Sequence, residues 1–396
     1  MNSIEYEGFD HVWKYSVPWL YYLVALYVSL PLVAYKIFPY LFHRKRTGKK
    51  SILIFVLGDI GHSPRMCYHA LSFSKLDYIV NLCGYLETRP SNEILDDVNI
   101  DIVPIKIVKN SGGLPYLLFA IRKVLIQFQQ LSSIIWNNDS DYIMIQNPPC
   151  IPILFIIILY KIFINRQVKI IIDWHNLNYT ILNLKFQNLK HPLVQFVKYY
   201  ESFLGKFANL NLTVTKKMKE FLVDEFDFKK NKIVVLYDRP GKQFQPGKRI
   251  KHEIFEDIPK DYKILISSTS FTPDEDFNIL LNALKQYEKE NTPPIFLIVT
   301  GKGPLRQKFI ETVESLKFSK KIIIKNVWLS SEDYPKILAS GDLGVSLHTS
   351  SSGIDLPMKI VDFFGCGLPV ISLKFSAIDE LVKDKVNGLV VEPVEY

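Results

Sequence analysis

Past Lys50, short β-branched runs alternate with amphipathic segments of helical length. Parallel α/β sheets satisfy that pattern, because each buried strand needs a crossover helix to return the chain to the same edge. The strand candidates of the first half are 52–57, 78–83, 102–105, 142–146, 169–173, 212–215 and 233–236. Helices fit between them over 64–75, 115–131, 192–207 and 216–225, several with proline near the first turn, where its missing N–H costs nothing. A polar, basic stretch over 238–262 breaks the alternation and reads as a linker. A second series follows, with strands over 264–268, 295–300, 322–324, 343–348 and 370–373. The expected architecture is two doubly wound Rossmann-like domains, 51–237 and 263–396, facing a cleft where the carboxyl ends of their strands bind ligands. At ~100–200 residues per domain, a chain of 396 residues suits that division.

The first fifty residues do not belong to this series. From Val17 to Tyr35 no residue is charged, and a run of ~20 apolar residues is long enough to cross a bilayer. Aromatic residues crowd both ends (Trp13, Tyr15, Trp19, then Tyr35, Phe38, Tyr40), as interfacial belts do. A basic cluster over 43–50 follows, so the positive-inside rule puts the remainder of the chain in the cytosol. Acidic Glu5, Glu7 and Asp10 precede the run, and no small-x-small site follows it, which disfavours a cleaved signal peptide. Sequons begin at Asn138, Asn178 and Asn211 and are silent under this topology. A second apolar stretch, 151–164, is too short to span and reads either as a buried core helix or as an interfacial helix.

Two loops carry the chemistry. The first strand runs into Gly58-Asp59-Ile60-Gly61-His62-Ser63-Pro64-Arg65, where glycines permit a sharp turn and Pro64 opens a helix. Asp59, His62 and Arg65 are expected to face the cleft. In the second domain, Gly301 and Gly303 end a strand within Thr-Gly-Lys-Gly-Pro. Farther on, hydroxyls and amides of Ser350, Ser351, Ser352 and Gly353 offer donors to phosphate, and Lys359 adds a point charge one helical turn later. Asp362 shares a helix face with Lys359 and suits a ribose diol. Asp274-Glu275-Asp276 has the look of a metal motif, but a helix cap explains those acids more simply, with contact to the donor or acceptor from the cleft wall as the runner-up role. Four cysteines without a CxxC pair argue against a disulfide scaffold or a cysteine zinc site. The net charge of +8 is too diffuse to name a partner, and basic residues are not interleaved with aromatics as nucleic-acid binding requires.

The run HTSSSGIDLPMKIVDFFGCGLPV over 348–370 resembles the nucleotide-sugar loop of GT-B glycosyltransferases, and more narrowly that of the chitobiosyldiphosphodolichol beta-mannosyltransferase family. LGDIGHSPRMCYHALS (57–72), DWHN (173–176), SSTSFTPDEDF (267–277) and VNGLVVEP (386–393) resemble the same family. The resemblance implies a GT-B-like fold behind one transmembrane helix in the endoplasmic reticulum membrane. It implies transfer of mannose from GDP-mannose to the distal GlcNAc of a dolichol-diphosphate disaccharide, with inversion and a beta-1,4 product. By the same resemblance, Gly301, Gly303, His348, Ser350–Ser352, Gly353 and Lys359 hold the donor phosphates and Asp362 the ribose. Gly58, Gly61, Arg65 and His175 meet the acceptor. Retaining relatives place two glutamates eight positions apart, whereas here Ile354 stands at the first place and Asp362 at the second, with Asp355 one step out of register; this fits inversion. The base is sought among Asp59 and His62, then Asp173 and His175, with Asp59 the first choice. A divalent metal is compatible but not required, and other dolichol-pathway transferases are expected partners. The competing readings are a GT-B transferase with another nucleotide sugar or lipid, and a catalytically inert membrane-anchored nucleotide-sugar-binding subunit. The missing GxGxxG fingerprint disfavours a dehydrogenase. Proteins of this fold usually continue with helices where this sequence stops, just past the strand-like 388–391.

Overall fold

A computed structural model of the protein describes residues 7–42, 48–110, 112–113, 115–272 and 275–392. The chain opens with helix α1 (Glu7–Phe42). Its segment Trp19–Phe42 has mean hydropathy 1.6 and holds no fully buried residue. A core helix would be covered by its own domain, so this one is exposed in the manner of a membrane-crossing segment. Most of the basic flank, 43–47, lies outside the described residues.

A seven-stranded sheet follows, with strands β1 (Ser51–Asp59), β2 (Ile79–Tyr85), β3 (Ile100–Pro104), β4 (Tyr142–Asn147), β5 (Lys169–Trp174), β6 (Leu210–Thr213) and β7 (Ile233–Val235). Their spatial order is β3-β2-β1-β4-β5-β6-β7. Strand β1 pairs in parallel with β2 and β4, Ile52 standing opposite Val80 on one side and Tyr142 on the other. Ile52–Val56 are buried, the signature of a strand covered on both faces, and this explains their uninterrupted β-branched and apolar run. The intervening helices are α2 (Pro64–Lys75), α3 (Asn92–Leu95), α4 (Tyr116–Asn137), α5 (Ile153–Phe163), α6 (Asn178–Phe186), α7 (Pro192–Gly205) and α8 (Lys216–Asp224). Of the two readings of 151–164, the structure favours the core helix: Ile153, Leu154, Ile156, Ile157 and Ile158 are buried, although Phe155 remains exposed.

The second sheet has six strands, β8 (Lys263–Thr269), β9 (Ile295–Gly301), β10 (Ile322–Val327), β11 (Leu343–Ser346), β12 (Val370–Leu373) and β13 (Gly388–Val391), in the order β10-β9-β8-β11-β12-β13. All its recorded pairings are parallel. Helices α9 (Phe277–Lys289), α10 (Arg306–Leu316), α11 (Asp333–Leu338) and α12 (Met358–Gly365) complete it. Ile250, Ile254, Phe255 and Ile258, from the stretch before β8, pack into its core beside Phe296 and Phe363. By contact the chain divides into two compact units, one of Met1–Ile145, Cys150–Ile171 and Phe207–Asn209, the other of Gln146–Pro149, Ile172–Lys206 and Leu210–Tyr396.

Candidate functional site

In the first unit the candidate residues gather where β1 ends. Gly61 is obligatory there, since a Cβ on it would lie 2.7 Å from the Thr88 carbonyl oxygen. The tight turn folds His62 back onto Asp59, whose Oδ2 stands 2.7 Å from His62 Nδ1. The other carboxylate oxygen, Oδ1, accepts from the backbone N–H groups of Glu87 and Thr88, each at 3.1 Å. Burial pulls the Asp59 carboxyl upward, but the hydrogen bonds from Thr88, His62 and Glu87 outweigh it and hold the group below its ordinary range. Asp59 is therefore a fixed anion whose side chain is 10% exposed, whereas His62 is 65% exposed. The pair has the form of an orienting carboxylate and an accessible imidazole. Ser63 Oγ donates to the Asp59 carbonyl and braces the same turn. Gly58 sits in the turn without a steric demand, and Arg65, the second residue of α2, is buried at 7% exposure.

The second unit holds the remaining candidates. Gly301 adopts φ +153°, and a Cβ there would stand 1.8 Å from the Thr269 carbonyl oxygen. A Cβ on Gly303 would stand 1.7 Å from that of Ser270. The loop after β9 thus rides directly on the backbone after β8. Gly303→Ala should cost on the order of 3 kcal/mol of stability through this overlap. A chemical-unfolding midpoint equal to that of the parent protein would contradict the packing.

The serine loop is tied down at many points. Ser350 Oγ accepts from the N–H groups of Ser352 (3.2 Å) and Gly353 (2.8 Å). Gly353 takes the left-handed φ of +71° that favours glycine. Asn176 Nδ2 donates to Ser351 Oγ at 3.2 Å and to Asp355 Oδ2 at 3.0 Å. Thr180 Oγ1 is within 3.2 Å of Ser351 Oγ, and Thr215 Oγ1 donates to the Ile354 carbonyl at 2.6 Å. His348 Nε2 lies 4.0 Å from Asp355 Oδ2.

Lys359, on the first turn of α12, pairs with the buried carboxylate of Glu275, which also accepts from Thr269 Oγ1 and from the Ser270 N–H. Three residues on, burial raises the Asp362 carboxyl to about 7, with a further push from the charge of Asp238. His175 Nε2 stands 3.0 Å from Asp173 Oδ2, the latter fully buried. The buried Glu201 on α7 accepts from the first N–H groups of α6, Asn178 and Tyr179, and so anchors the helix start beside Asn176. Burial lifts its carboxyl to about 7 despite those bonds.

Asp276 caps α9 by accepting from the Asn278 N–H at 2.9 Å, as expected of the acidic run, while Asp274 lies outside the described residues. An apolar cavity of about 630 Å³ beside α9, lined by residues including Leu280, Tyr287, Val345 and Leu373, contains none of the candidate residues. Sequence reasoning passed over Asn176 and Glu201, and read Glu275 only as part of an acidic run, not as the partner of Lys359. Asn176 and Glu275 sit inside the motifs DWHN and TPDEDF. Glu201 carried no local signal.

Residues 248–396 match the family described as glycosyl transferases group 1. Among solved structures, a sucrose-phosphate synthase from Thermosynechococcus elongatus superposes with a TM-score of 0.65 at 13% identity, covering 88% of this chain and 87% of that one. A glycosyltransferase from Rickettsia africae gives a TM-score of 0.60 at 16% identity, covering 88% and 86%. At such identities these show the GT-B fold alone. A chitobiosyldiphosphodolichol beta-mannosyltransferase of Candida albicans is 68% identical over 98% of this chain and 87% of its own length. The human protein of that name is 36% identical over 94% of this chain and 88% of its own length. Identity at that level over nearly the whole chain means that it belongs to the chitobiosyldiphosphodolichol beta-mannosyltransferase family.

Proposed function

We propose that the protein transfers mannose from GDP-mannose to the distal GlcNAc of GlcNAc2-diphospho-dolichol with inversion, forming a beta-1,4 linkage on the cytosolic side of the endoplasmic reticulum membrane. The observation that carries the donor half is the braced serine loop with Lys359 at the head of α12. Ser350–Ser352, Gly353 and His348 supply donors to the diphosphate, and Gly301 and Gly303 let the backbone approach it. Lys359 exchanges its contact with Glu275 for the phosphate oxygens. Asp362 accepts from the ribose hydroxyls. Gly58, Gly61, Arg65 and His175 are assigned to the acceptor side.

Inversion takes a single displacement. The acceptor hydroxyl oxygen attacks the anomeric carbon as its bond to GDP breaks, and the hydroxyl proton passes to a base. With Asp59 holding Nδ1–H, the His62 imidazole presents the Nε2 lone pair to that proton, so we assign the base to His62 and its orientation to Asp59. The charge that gathers on the departing diphosphate is met by Lys359 and the amides of 350–353. A divalent ion is not required by this scheme. Association with other dolichol-pathway transferases is part of the same proposal.

The decisive assay is radiolabelled GDP-mannose with a chitobiosyl-diphosphodolichol acceptor, with and without chelator, and digestion of the product by a beta-mannosidase. A product cut only by an alpha-mannosidase would overturn inversion. Binding without turnover would identify an inert subunit instead. The ribose assignment has its own test. The folded chain holds the Asp362 proton more tightly than the unfolded one, about 7 against 3.8. Its contribution to stability is therefore lost as pH rises from about 4 through about 7. Binding GDP needs the ionised form, so the dissociation constant for GDP should fall as pH rises from about 6 to about 8. In calorimetry Asp362→Asn should bind GDP more weakly and lose that slope; an unchanged slope would remove Asp362 from the ribose site.

A further inference from the structure

Helix α4 carries more apolar surface than its own unit covers. Gln127, Leu131 and Ile135 face inward and are buried. On a 3.6-residue helix, Leu118, Ile121, Leu125, Phe128 and Trp136 fall on an adjoining arc about 80° wide. That arc is exposed: Leu118 at 55%, Leu125 at 65% and Trp136 at 53%. Ser132 is the one polar residue within the arc, and Arg122, Gln129, Ser133 and Asn137 lie beyond it. An ordinary surface helix reverses this order and turns polar as soon as it leaves the core.

The arc is continuous with α1. The ring of Phe42 lies 5.4 Å from that of Trp136. Ala34 and Phe38 of α1 line an apolar groove of about 410 Å³ together with Phe128 and Trp136 of α4 and Ile156 and Phe163 of α5. Arg166, just past α5, stacks 3.6 Å over the ring of Tyr35. The exposed apolar flank of α1 therefore passes onto α4, with the small hydroxyl of Ser132 alone interrupting the apolar lining contributed by α4. A medium that covers Phe38 and Phe42 reaches the adjoining α4 arc as well. Arg122, next to the arc on α4, and Arg166, stacked on Tyr35, border this surface and suit anionic headgroups.

We propose that α4 is a second membrane element, lying along the bilayer interface with the Leu118–Trp136 arc among the lipid chains of the leaflet where α1 emerges. A parallel crossover sets the start of such a helix at the carboxyl end of its sheet, the edge that carries Asp59 and His62. The helix then joins the anchor to the catalytic edge of the unit and fixes the height of that edge above the bilayer. The proposal does not depend on the transfer reaction.

The test uses full-length protein in phosphatidylcholine–phosphatidylinositol vesicles. The native cysteines 67, 83, 150 and 366 are buried, so a surface cysteine can be labelled selectively. An environment-sensitive dye on Leu125→Cys should be quenched several-fold more by chain-nitroxide lipids than the same dye on Arg122→Cys, and should resist aqueous iodide. Equal quenching at both sites would overturn the proposal. So would a Leu125→Cys disulfide between protein copies without lipid quenching, which would identify a second chain as the occupant. Neither readout needs turnover, so failure here is separate from failure of the proposed reaction.

Discussion

Replacing His62 with alanine should lower kcat by about 10²–10⁴-fold, while the KM for GDP-mannose stays close to its starting value. The expectation follows from the geometry at the end of β1. Asp59 spends one carboxylate oxygen on the N–H groups of Glu87 and Thr88 and the other on His62 Nδ1, so its lone pairs are engaged and it stays ionised. A carboxylate committed in this way is a poor proton acceptor for a substrate, whereas the exposed ring has its far nitrogen unencumbered by Asp59. Asp59→Asn should then be nearly as damaging for a different reason. The amide no longer enforces the Nδ1–H tautomer, and the ring is free to turn a proton, instead of a lone pair, toward the acceptor. The two variants separate the roles through the size of the loss. With His62 as base, His62→Ala should be the more damaging of the two, and Asp59→Asn should retain the activity of those rings that still turn a lone pair toward the acceptor. A His62→Ala enzyme with nearly normal kcat beside an inactive Asp59→Asn enzyme would return the base to Asp59. Normal rates in both would send the search to the Asp173–His175 pair.

The strands were legible because their message is local. Fully buried parallel strands must be apolar on both faces, and Ile52–Val56 and Ile295–Val299 read that way without any knowledge of their neighbours. Helix α4 runs to Asn137, six residues past the expected end at Leu131, because Ile134 and Ile135 carry the apolar phase across Ser132-Ser133. Helix α6 was not foreseen. Its opening Asn-Tyr-Thr has little helical propensity, and its first N–H groups are satisfied by Glu201, some twenty residues away in sequence, which no window centred on α6 contains. The site divides in the same way. Glycines forced by close backbone approach, the serine run and Lys359–Asp362 announce themselves by type and spacing. The Asn176–Asp355 bond joins residues 179 positions apart, and Glu275 was hidden among acids that a helix cap already explained. Side chains that brace a site across the fold leave no periodic trace in the chain.

Glu275 also yields a sharp test of the donor loop. Its carboxylate is buried and held by Lys359, Thr269 and the Ser270 amide, so removing the lysine charge leaves an anion with no cation beside it. Lys359→Met should therefore destabilise the protein by about 3–5 kcal/mol, and it should also weaken donor use. Stability loss alone could mimic the kinetic defect, and the partner substitution resolves this. In Glu275→Gln the amide oxygen still accepts from Ser270, so folding should suffer little. Lys359 no longer has to leave a carboxylate to reach the diphosphate, and GDP should bind as tightly as before or more tightly. The double variant, Lys359→Met with Glu275→Gln, restores a neutral pair and should recover most of the lost stability by denaturant titration. Its turnover should not recover, because the charge that meets the departing diphosphate is still missing. A charge-assisted contact to phosphate is worth about 1.5–3 kcal/mol, so GDP affinity in the double variant should remain roughly ten- to a hundredfold down at about 1.4 kcal/mol per decade. If the double variant regains GDP affinity along with its stability, Lys359 is a structural partner of Glu275 and the phosphate contact must be sought elsewhere in 348–353.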